Sequence, residues 1–126
     1  MTRPLKNYFP LANDENYALI INYKKSLAVR DIKSETSHTY LKIIYNFMIY
    51  LQDYKIKTVD ATLEDFEDYI SSKDVTPRVK VKIISVIQQF FFYLRRAGYI
   101  EKNEIERFDK RKIRKEMREN DVQKRG

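Results

Sequence analysis

The sequence has no cysteine, one histidine, two glycines and three prolines in 126 residues. Without cysteine there is no disulfide and no thiolate chemistry, and a cytoplasmic setting is expected. A lone His38 with no cysteine leaves no zinc-ligand set of ordinary composition. Two glycines cannot supply a glycine-rich phosphate loop. So few glycines and prolines also mean few turns, which favours helices. No apolar run is long enough to cross a bilayer, and Met1–Pro10 lacks a signal-peptide pattern. No cofactor, no metal and no membrane partner are expected, and nothing suggests an active site within the chain.

Ten tyrosines and seven phenylalanines supply much of the core volume, and the length suits one domain with a modest core. The net charge is +7 and is unevenly spread. Residues 53–72 carry two basic and six acidic side chains, whereas residues 73–98 carry six basic and one acidic. A polyanion partner is one reading of this asymmetry, and a basic soluble protein without such a partner is the other.

The strongest helical pattern runs over Thr76–Gly98. Thr76 is a good N-cap, Pro77 suits the first helical position, and Gly98 can take the left-handed conformation that ends a helix. Val79, Ile83, Ile84, Ile87, Phe90, Phe91 and Leu94 form an apolar stripe, with Arg78, Lys82, Ser85, Gln89 and Arg96 in a row opposite. A helix this apolar is expected to be central. Before it, Asn13 or Asp14 opens a first helix to about Val29, with Tyr17, Ile20, Ile21, Leu27 and Ala28 inward. Ser34 or Glu35 opens a second to about Tyr54, with Tyr40, Ile43, Ile44, Phe47, Leu51 and Tyr54 inward. His38, Lys42, Tyr45 and Ile49 point the other way. Thr62 and Asp65 resemble a capping box and open a short acidic helix, Leu63–Ser72. Its carboxylates, Glu64, Asp65, Glu67 and Asp68, suit the positive end of the helix dipole. Residues 1–12 read as an extended arm. Glu104–Asn120 reads as a charged fifth helix anchored by Ile105, Phe108, Ile113 and Met117, and 121–126 as disordered. The expectation is a small all-α bundle of four core helices, 13–103, followed by a basic C-terminal helix and tail, 104–126.

Three stretches carry a family resemblance. Thr36-x-x-x-Tyr40-x-x-x-Ile44-x-x-Phe47-x-x-x-Leu51 resembles the second helix of the SAM-like core-binding domain of tyrosine recombinases, the phage-integrase family. Thr62-Leu63-x-Asp65-Phe66-x-x-Tyr69-Ile70 resembles its third helix. Ile84-Ser85-x-Ile87-x-x-Phe90-Phe91-x-Tyr93-Leu94, followed by Gly98-Tyr99-Ile100 and Asn103, resembles its fourth helix and exit. The resemblance covers roughly Asn16 to Asn103. Where the family usually has Asn-Pro this chain has Asn103-Glu104, so the exit is expected to continue into helix. The family's catalytic domain, with its Arg, His and Tyr constellation, is absent from this chain.

The resemblance implies a DNA-binding domain of a site-specific recombinase, not an enzyme by itself, whose partners are double-stranded DNA and other recombinase protomers. It points to Thr36, His38 and Lys42 on the second helix, and to Thr76, Arg78, Lys80, Lys82, Ser85 and Gln89 on the fourth. The residues taken alone place Lys42, Arg78, Lys82, Ser85 and Gln89 outward. Two alternatives stay open: a freestanding DNA-binding regulator of the same fold, and a protein-interaction bundle whose basic helix takes an acidic partner.

Overall fold

The structure, a computed structural model, describes residues 8–111 and 113. The fold is all-α, and the four expected core helices are present: α1 (Asp14–Val29), α2 (Ser34–Asp53), α3 (Leu63–Ser72) and α4 (Pro77–Arg96). Short 3₁₀ turns occur at Thr58–Asp60 and Ile105–Arg107, and the described residues contain no strand. Two compact units divide between Ala61 and Thr62.

In the first unit, the Asn13 side chain caps α1 by accepting from the Asn16 backbone N–H at 2.8 Å. The buried face of α1 is Asn16, Leu19, Ile20, Tyr23 and Leu27. This face is turned from the expected one, which left Tyr17 and Ile21 half-buried and Ala28 exposed. The cause is a polar anchor that a hydrophobic pattern does not register. Asn16 is only 2 % exposed because its amide is satisfied on both sides. Its Nδ2 donates to Gln52 Oε1 at 2.7 Å, and its Oδ1 accepts from the Thr58 hydroxyl at 2.7 Å. Gln52 also accepts from Asn13 N and donates to the Leu11 carbonyl, both at 3.0 Å.

α2 packs against α1 and buries Ser37, Leu41, Ile44, Phe47, Met48 and Leu51. Tyr40 and Ile43 are half-buried, and Tyr54 lies past the helix end and is exposed. Of the expected arm, Tyr8–Leu11 is instead a turn, and its Phe9 is buried against Tyr45 with ring centroids 5.1 Å apart. Residues 1–7 lie outside the described residues.

In the second unit, the Thr62–Asp65 capping box forms as expected. The Asp65 N–H donates to the Thr62 hydroxyl at 3.2 Å, and the Thr62 N–H to the Asp65 carboxylate at 2.9 Å. The Thr76 side chain accepts from Val79 N at 3.4 Å to open α4. α4 buries Ile84, Val86, Ile87, Phe90, Phe91 and Leu94. Val79, one turn into the helix, stays exposed.

The expected helix from Glu104 does not form there. Ile105–Arg107 is one 3₁₀ turn, Phe108 is extended, and helix resumes only at Arg111. The reason lies in the carbonyls. The Ile105 carbonyl accepts from the Phe108 N–H at 3.1 Å, a 3₁₀ and not an α-helical bond, and the Gln88 side chain donates to both the Ile105 and the Phe108 carbonyls. The Asn103 side chain meanwhile accepts from Glu106 N at 3.3 Å and caps the short turn. The turn packs on both α3 and α4. Ile105 is buried, and the Phe108 ring meets Phe66 edge-on at 5.2 Å. Ile113 is buried as expected, whereas Met117 and residues 121–126 lie outside the described residues.

α1, α2 and α4 end alike. After α1, Asp31 N bonds Ala28 O and Ile32 N bonds Leu27 O; after α2, Lys55 N bonds Gln52 O and Ile56 N bonds Leu51 O. After α4, Gly98 N bonds Arg95 O and Tyr99 N bonds Leu94 O. Each is a Schellman stop, which needs a left-handed residue. Gly98 supplies it at φ 88°, as the sequence predicts, while Asp31 and Lys55 adopt φ 59° and 60° despite their Cβ atoms.

Two stability predictions follow from these ends and anchors. A Cβ on Gly98 would meet nothing within 4 Å, so Gly98→Ala isolates the backbone cost. It should lower unfolding stability by about 1–2 kcal/mol, read from the urea midpoint; an unchanged midpoint would contradict the left-handed stop. Asn16→Ala leaves the buried Thr58 hydroxyl without its acceptor and should cost about 1–3 kcal/mol. A wild-type denaturation curve for that variant would show that the amide network contributes nothing.

Candidate nucleic-acid interface

The outward row of α4 is spaced four, three and four residues apart, which at 3.6 residues per turn keeps Arg78, Lys82, Ser85 and Gln89 on one face. Arg78, Lys82 and Gln89 are exposed, and so is Arg96 seven residues on. Among the described residues, neither Arg78 nor Lys82 has a carboxylate partner. Ser85 is half-buried, and its hydroxyl accepts from the Lys110 ammonium at 3.3 Å. Phe92 borders the row, 41 % exposed, with the Arg95 and Arg96 guanidinium carbons 5.4 and 5.7 Å from its ring centre.

The start of α4 is electrostatically inverted relative to the other helices. α1 begins with Asp14 and Glu15, α2 with Glu35, and α3 with Glu64 and Asp65, each matching the positive end of a helix dipole. α4 has no acidic residue in its first turn and puts Arg78 there instead, with Lys82 one turn on. Arg78 in the first turn opposes the dipole by about 0.3–1 kcal/mol, an effect that falls off beyond that turn. An external anion would relieve both that opposition and the mutual repulsion of Arg78 and Lys82.

Lys80 and Thr76 do not join this face. Lys80 precedes Ile84, Ile87 and Phe91 by four, seven and eleven residues, so it continues the core stripe. It is half-buried and lines a cleft of about 370 Å³ with Leu63, Glu67, Ile70, Phe108 and Asp109. Thr76 is exposed, but its oxygen is engaged in the helix cap.

The three α2 candidates split as well. Ser37 and Leu41 mark the buried side, and Thr36 and His38 fall on opposite flanks of it, about 200° apart around the helix. Lys42 follows His38 by one turn and is exposed. His38 is exposed too, with the Tyr8 ring meeting it edge-on at 5.3 Å and Phe9 at 6.4 Å. It lines a groove of about 720 Å³ with Lys24, Ile32, Ser34 and Ser37 among others. That groove sits beside the α2 N-terminus, where Lys33 provides no side-chain cap.

Two residues of the α4 surroundings were missed by sequence reasoning, Gln88 and Lys110. Gln88 differs from Gln89 by one 100° step, which turns it from solvent toward the segment after α4. Its Nε2 donates to the Ile105 carbonyl at 3.1 Å and to the Phe108 carbonyl at 3.2 Å. The pattern placed Gln89 correctly outward but carried no signal for what covers its neighbour. Lys110 had no signal either, since its contact with Ser85 spans 25 residues.

Among the described residues, no group of His, Asp and Glu could hold a metal ion, and no helix is long and apolar enough to cross a membrane. Burial pushes the Tyr69 phenol on α3 up to about 12. No protein-family model, curated protein or solved structure matches the chain.

Proposed function

We propose that the chain binds duplex DNA through the outward face of α4, as the DNA-gripping helical domain of a cytoplasmic, site-specific tyrosine recombinase. The observation that carries this reading is the inverted start of α4, where Arg78 stands in the first turn with Lys82 one turn on, neither paired with a carboxylate among the described residues, and Gln89 continues their row. A phosphate backbone supplies the anion that such a surface lacks. Gln89 adds an amide that can pair bidentately with adenine in the major groove. The resemblance of α2, α3 and α4 to the recombinase core-binding domain supports the same partner. The catalytic constellation of that family has no counterpart in this sequence, so the role of these residues is to bind and position. The acidic surface of α3, with exposed Glu64, Glu67 and Asp68, faces no phosphate in this reading.

The test is a titration of duplexes selected from a randomised pool, alongside scrambled controls. Log affinity should fall linearly with log salt. Lys82→Ala should weaken binding to every duplex alike and lower the salt slope by about one unit. Gln89→Ala should instead change preference among duplexes, by about 1–3 kcal/mol at one base pair. Affinity that is flat with salt would refute the proposal, and equal losses on selected and scrambled duplexes would remove Gln89 from base readout.

A further inference from the structure

The segment after α4 brings a cation back onto the α4 row. Lys110 Nζ lies 3.3 Å from Ser85 Oγ. Ser85 follows Lys82 by three residues and precedes Gln89 by four, so the ammonium meets that row at its half-buried edge. A serine hydroxyl is neutral and leaves the charge uncompensated. Among the described residues no carboxylate pairs with Lys110, and the neighbouring Asp109 is engaged by Arg111 at 3.0 Å. An ammonium has three N–H donors, and one bond to Ser85 leaves two for another acceptor.

The seating of Lys110 is built rather than incidental. Gln88 holds the segment by the Ile105 and Phe108 carbonyls. Ile105 and Ile113 are buried on either side of Lys110, and Phe108 meets Phe66. Two charged contacts add to this: Arg95 with Glu106 at 3.7 Å, and Leu63 N with the Glu104 carboxylate at 3.5 Å. A half-buried lysine is thereby held at Ser85, one turn along α4 from Lys82.

We infer that Lys110 is a phosphate-contacting residue of the α4 face, and that Gln88 is the positioning residue that holds it there. This rests on the duplex-DNA reading and deepens it, because it makes the post-helical segment part of the contact surface instead of a passive exit. Gln88 touches no DNA; it acts only through the chain that carries Lys110.

The test measures salt-dependent duplex binding for the full chain and for Lys82→Ala, Lys110→Ala, Lys110→Arg and Gln88→Ala, with helicity followed by circular dichroism. Lys110→Ala should lower the salt slope by about 0.9, one phosphate's worth, and Lys110→Arg should restore it. Gln88→Ala, which changes no charge, should lower the slope by the same amount, and adding Lys110→Ala to it should lower it no further. A slope reduced by Lys82→Ala but untouched by Lys110→Ala would overturn the inference while leaving the DNA reading intact. A folded Gln88→Ala variant with the wild-type slope would remove Gln88 as the positioning residue. Should Gln88→Ala not fold, the Lys110 pair decides the matter alone. A wild-type chain that binds no duplex at all would overturn the DNA reading, and the inference with it.

Discussion

Irregular backbone lying on a helix must find partners for its N–H and C=O groups, because an unpaired polar group away from water costs about as much as a lost hydrogen bond. A glutamine supplies those partners in each unit. In the second unit, the Gln88 amide donates to two carbonyls of the segment after α4. In the first, Gln52 donates to the Leu11 carbonyl and accepts from Asn13 N and from the Asn16 amide. Each glutamine sits on a long helix and fastens chain that lies outside it. The start of α1 and the course of residues 104–110 both depend on these amides. A Gln side chain suits the task because one group offers two donors and an acceptor at the end of a reach long enough to leave its helix.

The consequence for the second unit is electrostatic. Chain that would otherwise leave α4 is turned back along it, and Ser85 receives Lys110. The α4 face therefore gathers cations from two places in the sequence. Its own Arg78 opposes the helix dipole, Lys82 follows one turn on, and Lys110 reaches Ser85 from the segment after the helix. Such an arrangement is stable on a protein whose core is already secured by Ile84, Ile87, Phe90, Phe91 and Leu94. The apolar side of α4 stabilises the helix, and its polar side leaves Arg78, Lys82 and Gln89 exposed. The acidic residues of α3 do the opposite and serve their own helix start.

Much of the fold was legible because it rests on local rules. The boundaries of α3 and α4 follow from the Thr62–Asp65 box, the Thr76–Pro77 start and the Gly98 stop, each a short-range backbone requirement. Ile84, Ile87, Phe90, Phe91 and Leu94 of the α4 stripe were legible because they are large and periodic, whereas Val79 is exposed, Ile83 is half-buried and Val86, outside the expected stripe, is buried. The faces of α1 and α2 were read less well. Asn16 and Ser37 take buried places that a hydrophobic pattern assigns to Tyr17 and Tyr40. The stops at Asp31 and Lys55 carry no glycine to announce them.

By itself, the sequence determined the all-α class, the four helices, the basic side of α4 and the exposure of Arg78, Lys82 and Gln89. All of these follow from residues within a turn or two of one another. Only the tertiary structure decided that Lys80 lines a cleft beside Phe108 and that residues 104–110 leave α-helix to lie on α3 and α4. These depend on partners far along the chain. Gln88 reaches carbonyls 17 and 20 residues away, and Ser85 an ammonium 25 residues away. A periodic pattern reports which side of a helix is apolar; it carries no information about which distant backbone groups will need that helix's polar side chains.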